Sequence, residues 1–224
     1  MLGNVLLALT LVVAVLDWIA VYKQWKTVEY ICKPATMLFL FAWLFVMAGL
    51  NGPSLWFGVG VLLSLAGDVF LMLSDRWFIA GLAAFLLAHV AYIIGLSAGL
   101  MNVSLLWAGI LAVILVLGAV RILRRIVAGL VAKSLKKLVV PVQVYGLVIT
   151  VMLFLAMLTL SRPDWKAIPA VLVSLGAFLF YLSDIILAWN RFVSPIRSGR
   201  MMNMIAYHLG QIALIAGAIY QFIQ

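Results

Sequence analysis

The sequence predicts an all-α integral membrane protein, a bundle of eight transmembrane helices. Hydrophobic residues make up 68% of the 224 residues and charged residues only 9%, whereas soluble domains carry about 25% charged residues. At roughly 20 residues per span, the apolar residues suffice for seven or eight crossings. This composition excludes a soluble globular enzyme, a disordered chain and a disulfide scaffold. We expect residues 1–224 to form a single polytopic transmembrane domain.

Apolar runs separated by charged or turn residues define the spans. Turn chemistry marks two of the breaks, at residues 51–54 and 161–164. Pro34 opens the second predicted span, and Pro141 opens the sixth. No lysine or arginine precedes the first span, so we expect it to be retained rather than removed as a signal peptide. The predicted spans cover about residues 2–22, 34–50, 54–74, 77–97, 104–123, 138–160, 167–189 and 202–222.

The basic residues predict the orientation. Thirteen of the 15 lysines and arginines fall at the first, third, fifth and seventh loops, and only Arg162 and Lys166 fall on the other side. The positive-inside rule therefore places the odd loops in the cytoplasm and both termini outside. The net charge of +9 is thereby explained without a nucleic-acid partner. The longest predicted loop, about 121–137, is a basic amphipathic stretch that we expect to lie on anionic lipid headgroups.

The two halves of the chain share a polar pattern that suggests a parallel four-plus-four repeat about an axis along the membrane normal. Corresponding spans begin on the same side, as such a repeat requires. The equivalent residues are Pro34 and Pro141 in spans two and six, Asp68 and Asp184 in spans three and seven, and His89 and His208 in spans four and eight.

Three of the six acidic residues, Asp17, Asp68 and Asp184, fall within predicted spans. A carboxyl group inside a membrane costs a few kcal/mol, so such residues usually face the bundle interior and serve a function. Asp68 and Asp184 each lie seven residues before a charged residue at the cytoplasmic end of their span. At 1.5 Å per residue, both carboxyls lie roughly 10 Å below that boundary.

Other polar side chains are predicted near the same depth. Tyr145 and His208 reach the level of the two aspartates, and Tyr181 lies beside Asp184 on span seven. Lys33 is expected at the rim above them, whereas His89 is expected nearer the bilayer centre as a hydrogen-bonded bridge between helices. The sequence therefore predicts one interior cavity that opens toward the cytoplasm.

A buried carboxyl pair is suited to acid-base chemistry. Two carboxyls in a low-dielectric site cannot both ionise cheaply, so one tends to stay protonated while the other is a carboxylate. The sequence contains no nucleophile elbow, phosphate-binding loop, dinucleotide fingerprint or zinc motif. We expect hydrolysis inside the membrane by Asp68 and Asp184, without a metal or cofactor.

An ordered set of motifs resembles the YhhN/TMEM86 family of lysoplasmalogenases over nearly the whole chain. The motifs are Lys33-Pro34-Ala-Thr-Met37, Gly67-Asp68 followed by Leu71, Ala88-His89-Val-Ala-Tyr92, Ser183-Asp184-Ile-Ile-Leu-Ala-Trp-Asn-Arg-Phe192 and Leu209-Gly-Gln211. Ala35 departs from the family pattern, in which leucine is expected. We expect this change to matter little.

The resemblance implies an ether hydrolase that cleaves the vinyl ether bond of lysoplasmalogens to a fatty aldehyde and glycerophosphoethanolamine or glycerophosphocholine. The implied partners are a lysophospholipid substrate and membrane lipid. The implied location is the inner membrane of a bacterium or the endoplasmic reticulum of a eukaryote. Beside the catalytic aspartates, the predicted supporting or substrate-binding residues are Lys33, Tyr145, Tyr181, His89, His208, Gln211 and Arg191.

Two other classes of membrane protein use intramembrane aspartates. A proton-coupled transporter for small solutes fits the repeat, although the sequence has no span interrupted by glycine or proline near its middle. An intramembrane aspartyl protease is disfavoured because Ala66 departs from its Gly-x-Gly-Asp signature and no Pro-Ala-Leu element follows.

Overall fold

A computed structural model of the protein describes residues 1–99 and 103–223. Within these residues the chain folds into an all-α bundle of eight helices, each long and apolar enough to cross a bilayer. The protein is therefore an integral, multi-pass membrane protein. We number the helices α1 (Leu2–Lys23), α2 (Lys26–Ala48), α3 (Pro53–Met72), α4 (Phe78–Ser97), α5 (Leu105–Ala132), α6 (Val139–Leu158), α7 (Ala167–Ala188) and α8 (Gly199–Phe222).

Three helices differ from the predicted spans. α2 begins at Lys26 rather than at Pro34, which lies inside the helix. A proline is tolerated there because neighbouring helices can compensate the backbone groups that it leaves unpaired. α8 begins at Gly199 rather than at residue 202. The prediction of a long basic loop at 121–137 was wrong, since α5 continues to Ala132.

α7 is extended at its end by a π-helical turn, Trp189–Val193. α5 packs against this turn, and the Lys133 ammonium donates to the Arg191 carbonyl at 2.8 Å. These contacts join the loops at one end of the bundle. We call this end, where α1, α3, α5 and α7 finish, the basic end. The charge count predicts that it faces the cytoplasm.

The pairing of helices follows the predicted repeat. In each half the first helix packs on the second and the third on the fourth, while α2 contacts α8 and α4 contacts α6. These last two contacts are equivalent under a four-plus-four arrangement. α5 departs from the symmetry, because α1 also contacts α8 whereas the corresponding contact of α5 with α4 is sparse. α5 consequently lies at the periphery, and α8, with more than half of its residues buried, forms the centre.

Close approach of α7 and α8 depends on glycine. A Cβ atom on Gly176 would collide with the α8 backbone at Gly210 and Leu214. A Cβ atom on Gly210 would in turn press on the α7 backbone at Phe180. Small residues let membrane helices pack backbone to backbone, which here places α8 directly beside the helix that carries Asp184.

Arg162 joins two loops at the opposite end of the bundle. Its buried guanidinium donates to the carbonyls of Leu96 and Ala98 at the end of α4, and it pairs with Asp164. A cation is favourable at a helix C-terminus, where carbonyls have no partner within the helix. Arg162 therefore fixes the end of α4 to the loop between α6 and α7.

Replacing Arg162 with lysine is expected to destabilise the protein by about 2 to 3 kcal/mol. The lysine ammonium cannot reproduce the planar set of donors that reaches both carbonyls and Asp164. Thermal unfolding in detergent measures the effect. Arg197→Lys is the matched control, because Arg197 is exposed, and an equal loss in both variants would contradict this role.

The stability that the Arg162–Asp164 pair contributes should depend on pH. Hydrogen bonds from Arg162 hold the pKa of the Asp164 carboxyl below its ordinary value. Because the pKa is lower in the folded than in the unfolded protein, the pair stabilises above the ordinary aspartate pKa, and this stability is lost as pH falls through the folded-state pKa. Asp164→Asn should cost less than about 1 kcal/mol at neutral pH, since the carboxyl is partly exposed. The melting temperatures of variant and wild type should converge in acid.

Candidate active site

The two intramembrane aspartates lie at equivalent positions in α3 and α7 but have different partners. Asp68 is buried, with one oxygen 3.0 Å from the Lys33 ammonium of α2 and the other accepting a 2.6 Å hydrogen bond from the Tyr207 hydroxyl of α8. One Asp184 oxygen accepts a 2.5 Å hydrogen bond from the Tyr145 hydroxyl of α6.

Asp68, Lys33 and Tyr207 form one cluster, and Asp184 and Tyr145 form a second cluster with His89 of α4. Its Nε2 atom lies 3.3 Å from that same Asp184 oxygen and 2.9 Å from the Tyr145 hydroxyl. Each aspartate is thus held by one side chain from the preceding helix and one from the last helix of the other half. The two aspartates therefore share this placement, whereas the chemistry of their partners differs.

Both aspartates line a polar cavity of about 350 Å³. Toward the basic end the cavity is lined by Lys26, Glu29 and Arg200. The half-exposed Arg200 guanidinium donates to the buried Glu29 carboxylate at 2.5 and 2.6 Å. Charged groups therefore surround the outer part of the polar cavity, and the two aspartates lie among the inner residues of this cavity.

A second cavity, of about 220 Å³, lies among α4, α5, α6 and α7. Its lining is almost entirely aliphatic and aromatic, with Tyr145, Tyr181 and Thr150 among the few polar side chains. The peripheral position of α5 leaves this space between α5 and the rest of the bundle. Asp184 lines both cavities, together with the apolar residues Leu71, Phe85 and Leu187.

Several predicted supporting residues lie beside Asp184 or line the apolar cavity. Tyr145 binds Asp184 directly, and the Tyr181 hydroxyl lies 3.4 Å from the Thr150 hydroxyl in the wall of the apolar cavity. His89 was predicted nearer the bilayer centre as a hydrogen-bonded bridge between helices, and its Nε2 atom joins α4 to Tyr145 and Asp184. α7 continues past Arg191 to Val193 in the π-helical turn, so Asp184 lies further from the end of its helix than predicted.

Lys33 was predicted at the rim and is instead buried in the pair with Asp68. The reason is the early start of α2. Two additional helical turns, 26–33, place Lys33 inside the bundle, and the rim is lined by other charged residues. Asp17, the third aspartate within the spans, is also buried, and its carboxyl has no hydrogen-bond partner in the described part of the chain.

The prediction that His208 lines the cavity was wrong. Its Nδ1 atom accepts a 3.1 Å hydrogen bond from the Trp18 indole, so the ring faces α1. Neighbouring residues of an α-helix point about 100° apart, and the side chain that faces Asp68 is that of Tyr207.

Gln211 and Arg191 also have structural partners. The Gln211 amide accepts from the Tyr92 hydroxyl at 2.7 Å and donates to the Ser64 hydroxyl at 2.9 Å, which joins α8 to α3 and α4. Arg191 pairs with Asp75 at 2.8 Å and contributes to one end of the apolar cavity.

The cavity residues that the sequence analysis missed follow two helical stripes. Residues three and four apart lie on one helix face, and this spacing could have found them. The stripes are Lys26 and Glu29, together with the predicted Lys33, on α2, and Arg200, Asn203 and Tyr207 on α8. Among the described residues, no group of three or more histidines, cysteines or acidic residues is arranged to hold a metal ion.

A model of the YhhN family matches residues 28–218, which include both aspartate clusters. The chain belongs to the YhhN family. Similar proteins include three relatives named lysoplasmalogenase TMEM86B. The Mus musculus protein is 29% identical over 210 residues, 90% of this chain and 80% of the relative. The Rattus norvegicus protein is 27% identical over 88% of this chain and 74% of the relative, and the Homo sapiens protein is 28% identical over 88% and 76%. No solved structure matches this YhhN-family chain.

Proposed function

We propose that this protein is a lysoplasmalogenase, an ether hydrolase that cleaves the vinyl ether bond of a lysoplasmalogen. The observation that carries the proposal is the position of Asp184, between a charged polar cavity and an apolar cavity within the bundle. A substrate with a charged head, a reactive bond and a hydrocarbon tail matches this order of surroundings. The names of the relatives from mouse, rat and human support the same activity.

The lysophospholipid is proposed to bind with its phosphate among Lys26 and Arg200 of the polar cavity. Its alkenyl chain then enters the apolar cavity between α5 and the other helices. The vinyl ether, which joins glycerol to the chain, lies between these two parts of the molecule. It is therefore brought to the aspartates.

The proposed reaction uses the two carboxyls as acid and base. A proton from one carboxyl adds to the alkenyl carbon remote from the ether oxygen, which produces an oxocarbenium ion. Water adds to the other alkenyl carbon and gives its proton to the second carboxyl. The hemiacetal then collapses to a fatty aldehyde and glycerophosphoethanolamine or glycerophosphocholine.

Aldehyde release from the purified protein tests the proposal. A lysoplasmalogen should yield aldehyde, whereas a lysolipid with the matching saturated ether should not, because it has no double bond to protonate. The protein should also be assayed in liposomes for proton-driven solute uptake. Absence of aldehyde release by folded protein would overturn the proposal, and proton-driven uptake without aldehyde release would identify a transporter instead.

Replacing Arg200 with glutamine should raise KM by roughly tenfold with little change in kcat. Arg200 binds Glu29 through one guanidinium nitrogen and is half exposed at the outer end of the polar cavity. Its other N–H donors can therefore contact a phosphate before and after the bond breaks, and one charge-assisted contact contributes about 1.5 to 3 kcal/mol. Arg197→Gln removes an exposed charge from the same loop region and is the matched control. A fall in kcat with unchanged KM would place Arg200 in the chemical step instead.

A further inference from the structure

We infer that the two aspartates have distinct roles: Asp184 donates the proton to the alkenyl carbon, and the Lys33-paired Asp68 is the base that accepts the proton of the attacking water. This assignment rests on the proposed function. It follows from the partners of each carboxyl and from the cavities that each one lines.

The partners of Asp68 favour a carboxylate at the start of the reaction. The Tyr207 hydroxyl donates to one of its oxygens, the Lys33 ammonium lies 3.0 Å from the other, and all three groups are buried. A protonated Asp68 would leave the Lys33 ammonium as an uncompensated charge inside the bundle, which costs several kcal/mol. Asp68 therefore begins the reaction able to accept a proton and to stabilise a nearby cation.

The partners of Asp184 allow it to begin the reaction protonated. Its basic neighbour is His89, whose imidazole can be neutral, so a neutral Asp184 leaves no unpaired charge behind. The Tyr145 hydroxyl occupies one carboxyl oxygen, Oδ2, and the Ser183 hydroxyl lies 3.4 Å from the other, Oδ1. Oδ1 is thus the oxygen that can carry a proton toward a substrate.

The cavities agree with this division. Asp184 lines the apolar cavity, where the alkenyl carbon of the chain would lie, as well as the polar one. Asp68 lines the polar cavity alone, which is where water and the headgroup enter. The proton for carbon is thereby held on the hydrocarbon side of the reacting bond, and the base for water on the polar side.

The cycle closes without an external proton. Asp184 gives its proton to the alkenyl carbon, the electron pair of the double bond forms the new C–H bond, and an ether-oxygen lone pair forms the C=O⁺ bond. Water adds to the carbon of the C=O⁺ bond, and Asp68 takes a proton from this water. In the collapse, Asp68 returns this proton to the departing glycerol oxygen as the C–O bond breaks. Asp184 takes the proton of the hemiacetal hydroxyl as the aldehyde forms.

His89 and Tyr145 are positioning residues in this scheme. Once Asp184 has lost its proton, its carboxylate can accept hydrogen bonds from the Tyr145 O–H and the His89 N–H. Hydrogen bonds to a developing charge lower the barrier when they are already in place. The ring of His89 also packs on Phe180, with centroids 4.8 Å apart, which fixes its orientation.

Hydrolysis in D₂O separates the roles of the two aspartates. In Asp68→Asn, protonation of carbon continues while water attack is impaired, so the oxocarbenium ion returns to the alkene. Rotation about its new single bond lets either hydrogen leave, and the recovered substrate should gain deuterium or the E configuration. In Asp184→Asn, the recovered substrate should gain neither. Deuterium or the E configuration in the substrate recovered from Asp184→Asn, or neither change in that recovered from Asp68→Asn, would overturn the assignment.

The positioning role of His89 is tested with two replacements. Glutamine keeps an N–H donor and should retain most of the activity, whereas leucine fills the space without a donor and should lose about tenfold or more in kcat with KM unchanged. His208→Gln is the matched control, because His208 is equally buried but bonds Trp18. Equal losses in His89→Gln and His89→Leu would reduce His89 to a packing residue.

Failure of this inference can be told from failure of the proposed function. If wild-type protein releases no aldehyde, the proposed function is wrong, and the isotope experiment has no hydrolysis reaction to follow. If wild-type protein is active and the deuterium pattern is reversed, the function stands and the roles of Asp68 and Asp184 are exchanged.

Discussion

Asp184→Asn is expected to reduce kcat for lysoplasmalogen cleavage by about 100- to 10,000-fold, the usual contribution of a single general acid or base. Asparagine occupies the same space but cannot donate a proton to carbon. Asp68→Asn should be similarly severe, because an amide cannot accept the proton of water. The double variant should be little slower than either single one, since the two groups act as a unit. Aldehyde release by folded protein measures each effect. Asp68→Asn leaves the buried Lys33 ammonium unpaired and is therefore expected to melt at a lower temperature than the wild type.

Asp75→Asn is the matched control for both variants. Asp75 is an exposed aspartate at the basic end that pairs with Arg191 and lines neither cavity. Its replacement should leave turnover near that of the wild type. Near-normal turnover in Asp68→Asn or Asp184→Asn, with the fold intact, would refute the proposed mechanism.

Lys33→Met is expected to destabilise the protein by about 3 to 5 kcal/mol, the cost of leaving one partner of a buried ion pair alone. The unpaired group would be Asp68, which is fully buried beside Lys33 and Tyr207. Thermal unfolding in detergent measures the loss. Lys23→Met is the control, because Lys23 is exposed at the end of α1.

A second replacement separates stability from catalysis at this pair. Lys33→Met combined with Asp68→Asn removes both charges and should recover most of the lost stability, yet it should remain inactive. A Lys33 that only attracted a phosphate at the rim would give a different result, with unchanged stability and a raised KM. Full stability in Lys33→Met would therefore contradict the buried pair.

The membrane fold could be predicted from the sequence because it depends on the hydrophobicity of each segment, which is a sum over the residues of that segment. Eight apolar runs of about 20 residues must each become a helix, since an unpaired backbone in lipid costs several kcal/mol per group. The aspartates could be found by the same reasoning, because Asp68 and Asp184 are carboxyls in segments that otherwise exclude charge. Neither conclusion requires knowledge of how the helices contact one another.

The partners of those carboxyls were decided by tertiary structure. A helix rotates about 100° per residue, so a small error in phase exchanges one side chain for its neighbour, as with Tyr207 and His208. An error in where a helix begins moves a residue in depth, as the early start of α2 moved Lys33 from the rim into the bundle. Periodicity along one chain segment cannot determine these phases.

The difference between the two aspartates also depends on packing between distant segments. Asp184 meets His89 across 95 positions and Asp68 meets Tyr207 across 139. The sequence shows two similar carboxyls in a repeat, because the residue types and their spacing are similar in both halves. Only the assembled bundle places a lysine beside one carboxyl and an apolar cavity beside the other, since the direction of each side chain is set by contacts between helices far apart in the chain.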